Sequence, residues 1–413
     1  MRLERYARQR VTPREELRDE GEDELAEELR RRLRDSVRAH LIADVPVGVL
    51  LSGGIDSSAL TALAAQESSE RLRTFSIGFE ERSFDERERA RLVARRFDTD
   101  HHELVLRPDA AELLPLLADV FDEPFADSSA IPTYLVSKLA RRDVKVALSG
   151  EGGDELFGGY FNYVGHELAP AFGVPARLLR PLIERLPAST ASASSLDYKA
   201  KHFVRGAALP PLERHAVWKT IFSPSQRADV LNSECRGAID PLALLRPSYA
   251  ESEGAERLAR IMSLDLDVFL VEDMLVKTDR ASMAHSLEVR VPFLDPVVCD
   301  LALSLPDRHK VRGLTKKRLL RKALAPLVPD EIVTGRKQGF SMPVGAWLRG
   351  PLQPFAREIL SPAQVRRQGF FRPEGVTGLL ERHVAGKQDL SRQLWSLLAF
   401  SLWYDRYGAR TIN

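Results

Sequence analysis

Along residues 45–150 the apolar positions fall into short, unbroken runs separated by stretches of helical period. VPVGVLL (45–51), LRTFSIGF (72–79), HELVL (102–106) and VKVALSG (144–150) are strand-sized, rich in Val, Leu, Ile or Phe, and carry little alternation. Strands covered on both faces have this pattern. Between them SSALTALAAQ (57–66), FDERERARLVARRF (84–97) and IPTYLVSKLARR (131–142) suit helices, with Asp85 a candidate cap of the second and Pro132 a candidate opener of the third. Strand and helix in repetition predict a parallel sheet with right-handed crossovers.

Upstream, Leu25, Leu29, Leu33 and Val37 recur at helical spacing in a stretch where residues 1–40 hold 11 Arg and 11 Asp or Glu. That pattern predicts a connecting segment and then a solvated helix docked by one stripe. Beyond residue 165 long Leu- and Ala-rich helical patterns dominate, punctuated by Pro and Gly, with no internal repeat. The expected organisation is a linker and helix over 1–40, an α/β nucleotide-binding core over 45–165, and a mainly helical part over 166–413, the last two forming one domain, 41–413.

Composition narrows the function classes. With 413 residues, 44% hydrophobic and 29% charged, the chain has the balance of a globular protein with a large core. Its net charge of +1 provides no whole-molecule field for nucleic acid or an anionic membrane, so any polyanion would need a local site. Two cysteines, Cys235 and Cys299, are too few for a disulfide framework or a four-thiolate zinc site. Neither a signal-peptide core nor a membrane-length apolar run occurs, so a cytoplasmic protein is expected.

The chemistry concentrates in two loops. In GVLLSGGIDSS (48–58) a buried strand runs into Ser52, Gly53 and Gly54 and then a helix. Such a bend brings backbone N–H groups and a helix N-terminus to an anion, and Ser52, Ser57 and Ser58 add hydroxyls. Asp56 would repel phosphate unless a divalent cation lay between them, which predicts Mg²⁺. A Walker loop is excluded, because Gly54 and Ile55 stand where its Lys and hydroxyl residue belong, and no GxGxxG is present here. VKVALSGEGGDELFGGY (144–160) repeats the logic with Ser149, Gly150, Glu151 and Asp154. Parallel strands deliver both loops to one sheet edge, where ligands bind. Asp154 can share the cation with Asp56, and Glu151 is left as a proton acceptor.

SGGIDSS followed by LSGEGGDELFGGY closely resembles the synthetase half of the asparagine synthetase family, a branch of the PP-loop ATP pyrophosphatases. The likeness continues in DEPFADSSAIPTYLVSKLA (122–140), KTDRASMAHSLEVRVPFLD (277–295) and GRKQGFSMPVGAWL (335–348), and so covers nearly the whole chain. It implies an α/β fold, a parallel five-stranded sheet sandwiched by helices (adenine nucleotide alpha hydrolase-like) with a mainly helical C-terminal part. It implies ATP and Mg²⁺, a side-chain carboxylate activated as an acyl-adenylate with release of pyrophosphate, and ammonia attack giving the amide and AMP. Aspartate is the expected acceptor and asparagine the product.

By the same resemblance Ser52, Gly53, Gly54, Asp56 and Ser57 hold pyrophosphate, with Ser149 and Gly150 beside them. Asp56 and Asp154 are the Mg²⁺ ligands, and Leu50 and Ile77 fall where the backbone grips adenine, apolar core being the equal alternative. Glu151 moves the proton of the nitrogen nucleophile. Lys337 neutralises charge on the α-phosphate and pyrophosphate, a role that adenylation chemistry supports.

Full-length members begin with a glutaminase domain whose nucleophile is an N-terminal cysteine. Here position 2 is Arg2 and no cysteine precedes Cys235, so the glutaminase is expected to be missing. A truncated reading frame, free ammonia, a separate glutaminase subunit or another amine would each fit; ammonia or a partner subunit ranks first. Rival functions are the same chemistry on a sugar acid, a peptide, or a ring closure of the β-lactam or lasso-peptide kind, tRNA modification, which the charge balance disfavours, and a non-catalytic nucleotide-binding scaffold. His101, His102 and Glu103 read as strand-edge packing and not as a metal site, and Cys299 as helix core. Asp279, Arg280, Glu288 and Arg290 are expected to form a buried ion-pair network or to touch substrate. No oligomeric state follows from the sequence.

Overall fold

A computed structural model describes residues 10–106, 110–186, 196–237, 240–335 and 342–408. Lys337, and with it most of GRKQGFSMP, lies outside the described residues. Five strands, β1 (Val47–Leu50), β2 (Arg73–Phe79), β3 (Asp100–Leu106), β4 (Val146–Leu148) and β5 (Glu288–Arg290), form one sheet in the order β3-β2-β1-β4-β5. All pairings are parallel, with Val49 between Thr74 and Leu148. Helices α1 (Glu22–His40), α2 (Ile55–Glu67) and α3 (Arg87–Arg96) precede β3, and α4 (Ala110–Phe121) and α5 (Ala130–Ala140) precede β4.

Two hydrophobic cores flank the sheet. On one side Phe75, Ile77, Ile131, Tyr134, Ala147 and Trp395 pack together; on the other Val49, Leu60, Leu63, Val93, Leu148 and Phe293 do so. Alternate residues of β4, Ala147 and Leu148, therefore enter opposite cores. This is why the central strands read as continuous apolar runs.

Helix α1 sits against the second core, where Leu25, Leu29, Leu33 and Val37 are fully buried. Each such side chain contributes about 1.5–3 kcal/mol by leaving water. The stripe is narrow, and the other faces carry surface pairs such as Arg32 with Glu28.

Several expectations need correction. The fifth strand comes from the stretch read as mainly helical, and its short EVR run was masked by the long helices around it. Asp85 is not the cap of α3: the N-cap is Glu86 without a side-chain bond, and Asp85 accepts from the Arg87 N–H at 3.3 Å and pairs with the Arg87 guanidinium. Helix α5 opens at Ala130, two residues before Pro132, which sits in the first turn where its missing N–H leaves no bond unmade. Asp279, Arg280 and Glu288 are exposed, so they form no buried network. Arg290 instead donates to the carbonyls of His40 (2.7 Å) and Ile42 (2.8 Å), fastening the end of α1 to β5.

Candidate functional site

The first loop is set by β1 and α2. Gly53 has φ +75°, a conformation L side chains avoid, and a Cβ there would lie 2.8 Å from the Ala90 N and the Arg89 Cβ. The Ser52 N–H donates to Ser57 Oγ (3.2 Å), the two hydroxyls are 3.1 Å apart, and the Ser57 hydroxyl reaches the Gly54 carbonyl at 3.3 Å. Gly54 caps α2 with no side-chain acceptor, leaving the first-turn N–H groups to an outside anion.

The second loop leaves β4, with the Ser149 N–H bonded to the Arg290 carbonyl at 2.9 Å, and enters α6 (Gly153–Phe157). Its glycines lie against the first loop: a Cβ on Gly150 would be 3.0 Å from Asp56 Cβ, and one on Gly153 would be 2.8 Å from Asp56 Oδ1. Only hydrogen fits between the loops at those two positions.

That approach brings Asp56 and Asp154 to one point, and the ammonium of Lys317 sits on it. Lys317 Nζ is 2.7 and 2.6 Å from the Asp56 oxygens and 2.7 Å from Asp154 Oδ1. The side chain is buried, and Lys317 holds a left-handed backbone (φ 51°) just before the helix Arg318–Leu324. Sequence reasoning missed it. The local signal, a lysine pair in GLTKKRLL, looks like any solvated helix start, and nothing local predicts burial between two distant carboxylates.

Glu151 lies beside this centre. Its carboxylate accepts from the Ser149 hydroxyl through a short bond and from the Thr278 hydroxyl at 3.2 Å. Thr278 belongs to a continuous helical rod, Arg257–Leu264, a π-helical segment Asp265–Leu275 and Val276–Met283. Wide turns of this kind are uncommon and often occur at functional sites.

The same rod supplies Lys277, also missed from sequence, whose buried ammonium donates to Asp127 (3.0 Å) and Ser129 (2.8 Å). Burial works against its charge, but Asp127, Asp273 and Glu151 more than offset that and raise its pKa above the usual lysine value. Burial would likewise raise Asp127, yet Lys277 and the Ser129 hydrogen bonds hold it low. Asp273, half-buried and close to Asp127, is pushed up to about 7 by desolvation and by that carboxylate. Lys316, whose ammonium donates to the Gly159 carbonyl at 2.8 Å, is pushed down to about 8 by burial and by Lys317.

Every described residue of the sequence-derived site except Gly53 and Ser58 lines one cleft of about 950 Å³, which also takes in Lys317, Lys277, Asp127 and Asp273. Ser58, expected to add a hydroxyl to the cradle, is instead fully buried in α2, away from the cleft. Gly53 forms the bend behind it. Leu50 and Ile77 stand at the wall made by the ends of β1 and β2. Tyr198, Lys199, His202, Trp218 and Arg392 also line the cleft, with His202 stacked between Tyr198 and Trp218 and Arg392 over the Tyr198 ring.

The pair of carboxylates suits a hard cation. Mg²⁺ is ordinarily held by one or two carboxylates with substrate phosphates completing its shell, and Asp56 and Asp154 offer such a set at a point already taken by a positive group. Among the described residues no cluster of three or more His, Cys, Asp or Glu is placed to hold a metal. His101 bonds Thr74 (2.8 Å) and Glu103 (3.2 Å) on edge strand β3, and Cys299 is buried in the helix Pro296–Ser304. Also among them, no helix is long and apolar enough to cross a membrane.

Residues 28–405 match the family model for asparagine synthase. The chain is 36% identical over 372 residues to the glutamine-hydrolysing asparagine synthetase 1 of Bacillus subtilis strain 168, covering 90% of this chain and 57% of that protein. It is 37% identical over 383 residues to a putative glutamine-hydrolysing asparagine synthetase of Mycobacterium bovis, covering 90% and 56%. At 26% identity over 422 residues, 91% of this chain and 61% of the relative, it is similar to the amidase chry2 of Gibberella zeae. The chain thus spans less than two thirds of the length of these relatives.

Proposed function

The chain belongs to the asparagine synthase family, and on that premise we propose that it is an ATP-dependent, carbon–nitrogen bond-forming ligase acting on a side-chain carboxylate, aspartate first among the candidates. The observation that carries this reading is the meeting of Asp56, Asp154 and Lys317 across the two glycine-bearing loops, with Glu151 on the same wall.

In the proposed reaction a carboxylate oxygen attacks the α-phosphorus of ATP, the bond to the bridging oxygen breaks and pyrophosphate leaves. Ammonia then attacks the acyl carbon, the acyl–oxygen bond breaks and AMP leaves. The Ser52 and Ser57 hydroxyls and the N-terminal N–H groups of α2 bind the departing pyrophosphate, with Ser149 and Gly150 closing the cradle. Leu50 and Ile77 flank the adenine. Asp56 and Asp154 would hold Mg²⁺, which supplies charge neutralisation on the phosphates when bound.

Lys317 keeps these two carboxylates together before nucleotide binds. Glu151 takes the proton that nitrogen loses, and the hydroxyls of Ser149 and Thr278 aim it. Lys337 is assigned to the developing phosphoryl charge by its motif alone. Free ammonia or a separate glutaminase subunit is the proposed nitrogen source.

A second acceptor class is favoured by the aromatic and cationic cluster in the cleft lining, Tyr198, Trp218, Lys199 and Arg392, which suits an acceptor larger than a free amino acid. One experiment separates the two. The protein is incubated with ATP, Mg²⁺, ammonium and a panel of carboxylates, and AMP and pyrophosphate are followed. Aspartate-dependent release supports the first reading, and release only with larger acids the second. ATP binding without acceptor-dependent pyrophosphate release would overturn both.

A further inference from the structure

Helix α7 (Phe161–Glu184) is buried at its start, where Tyr163, Val164 and His166 enter the core, but its second half leaves the body. There one side rests on α8 (Leu196–Gly206), with Ala176 and Ile183 against Phe203, Val204 and Ala207. The outward side carries Phe172, Val174, Leu178, Leu179, Leu182 and Leu186, with Val174, Leu178 and Leu182 exposed to 72%, 75% and 64%. At about 100 Å² apiece these side chains present on the order of 600 Å² of apolar surface, at the upper end of what a solitary soluble protein shows.

The other exposed residues from 170 to 186 are three prolines, Ala171, Arg177, Arg180 and Arg185. Among the described residues of this stretch, no exposed one carries a carboxylate, amide or hydroxyl. Its one acid, Glu184, is half-buried, held by Arg205 through two bonds of 2.9 Å, with Arg180 Nε 3.7 Å away.

We propose that this face of α7 is a docking surface for an anionic lipid bilayer, lying in the plane of the interface with Leu178 and Leu182 immersed and Arg177, Arg180 and Arg185 on the headgroups. Charge complementarity selects this occupant. A second copy pairing two-fold through α7 would set the arginines of one face against those of the other, and Glu184, the one acid of the stretch, is already held by Arg205. Apolar depth with flanking cations is what an interfacial helix requires. The net charge of +1 demands a local site for any polyanionic surface, and α7 is such a site.

The full chain is floated with phosphatidylcholine vesicles, with and without phosphatidylglycerol, at low and high salt. Three arginines near a charged surface predict roughly hundredfold tighter binding to the anionic vesicles, lost at high salt. Leu178→Glu with Leu182→Glu should abolish flotation, and Arg177→Gln, Arg180→Gln and Arg185→Gln together should erase the preference for anionic lipid. Because these side chains face solvent, the melting temperature and nucleotide binding of each variant should match the parent, which separates this test from the ligase reading. No flotation at millimolar lipid, equal binding to neutral vesicles, or a stable dimer that Leu178→Glu dissociates would each overturn the proposal.

Discussion

Replacing Lys317 by Met tests the electrostatic centre directly, because it removes one ammonium and keeps the volume of the chain. The distances from Nζ to Asp56 Oδ2 (2.6 Å) and Asp154 Oδ1 (2.7 Å) bound the separation of those oxygens. At roughly 5 Å and an effective dielectric of about 20, the uncovered carboxylates repel by about 3 kcal/mol, and breaking a buried pair generally costs about 3–5 kcal/mol. In a chain of this size that is a fall in melting temperature of roughly 3–6 °C, followed by tryptophan fluorescence in metal-free buffer.

Millimolar Mg²⁺ should restore more of the loss in the variant than it adds to the parent, since in the parent it competes with the ammonium. Lys316→Met is the control. Its ammonium bonds the Gly159 carbonyl and neither carboxylate. A Lys317→Met protein that melts within about 1 °C of the parent and ignores Mg²⁺ would refute the idea that Asp56 and Asp154 form one cation site.

Four further outcomes follow from the same geometry. Glu151→Gln should leave ATP binding unchanged by calorimetry while amide formation falls by at least the roughly 10²-fold that a general base supplies, and Asp56→Asn should weaken Mg-dependent nucleotide binding; near-parental behaviour in either removes that residue from its role. Gly53→Ala meets a left-handed backbone and the Ala90 N at 2.8 Å, so a loss of at least about 1–2 kcal/mol is expected, with weaker pyrophosphate binding; an unchanged urea midpoint would show that the bend tolerates a side chain. Asp273 faces Asp127, Lys277 and Lys219, and its pKa of about 7 means that the folded protein keeps a proton the unfolded chain has already released above the ordinary carboxyl range. Stability should therefore fall as pH rises through that window to about 7 and level off above it, and Asp273→Asn should flatten the curve; an identical pH–stability profile in the variant would contradict the assignment.

What the sequence determined by itself was local. Unbroken apolar runs marked β1, β2 and β4 because burial on both faces removes alternation, whereas β3, read from HELVL in the same way, is a half-covered edge strand with only Leu106 buried. The glycines at 53 and 54 and from 150 to 153 marked bends because few other residues can make them. The parallel order then delivered Asp56, Glu151 and Asp154 to one edge without any coordinates. Tertiary structure decided what depends on distant chain. Lys317, 163 residues beyond Asp154, reaches the two aspartates only because the helical part folds back over the loops. Strand β5 exists because β4 has an open edge for three residues of the later chain to pair with. Arg290 binds backbone carbonyls 250 and 248 residues away. The apolar stripes of α1 and α7 look alike along the chain, yet one is fully buried and the other faces outward, because periodicity reports which residues share a face and not whether anything covers it.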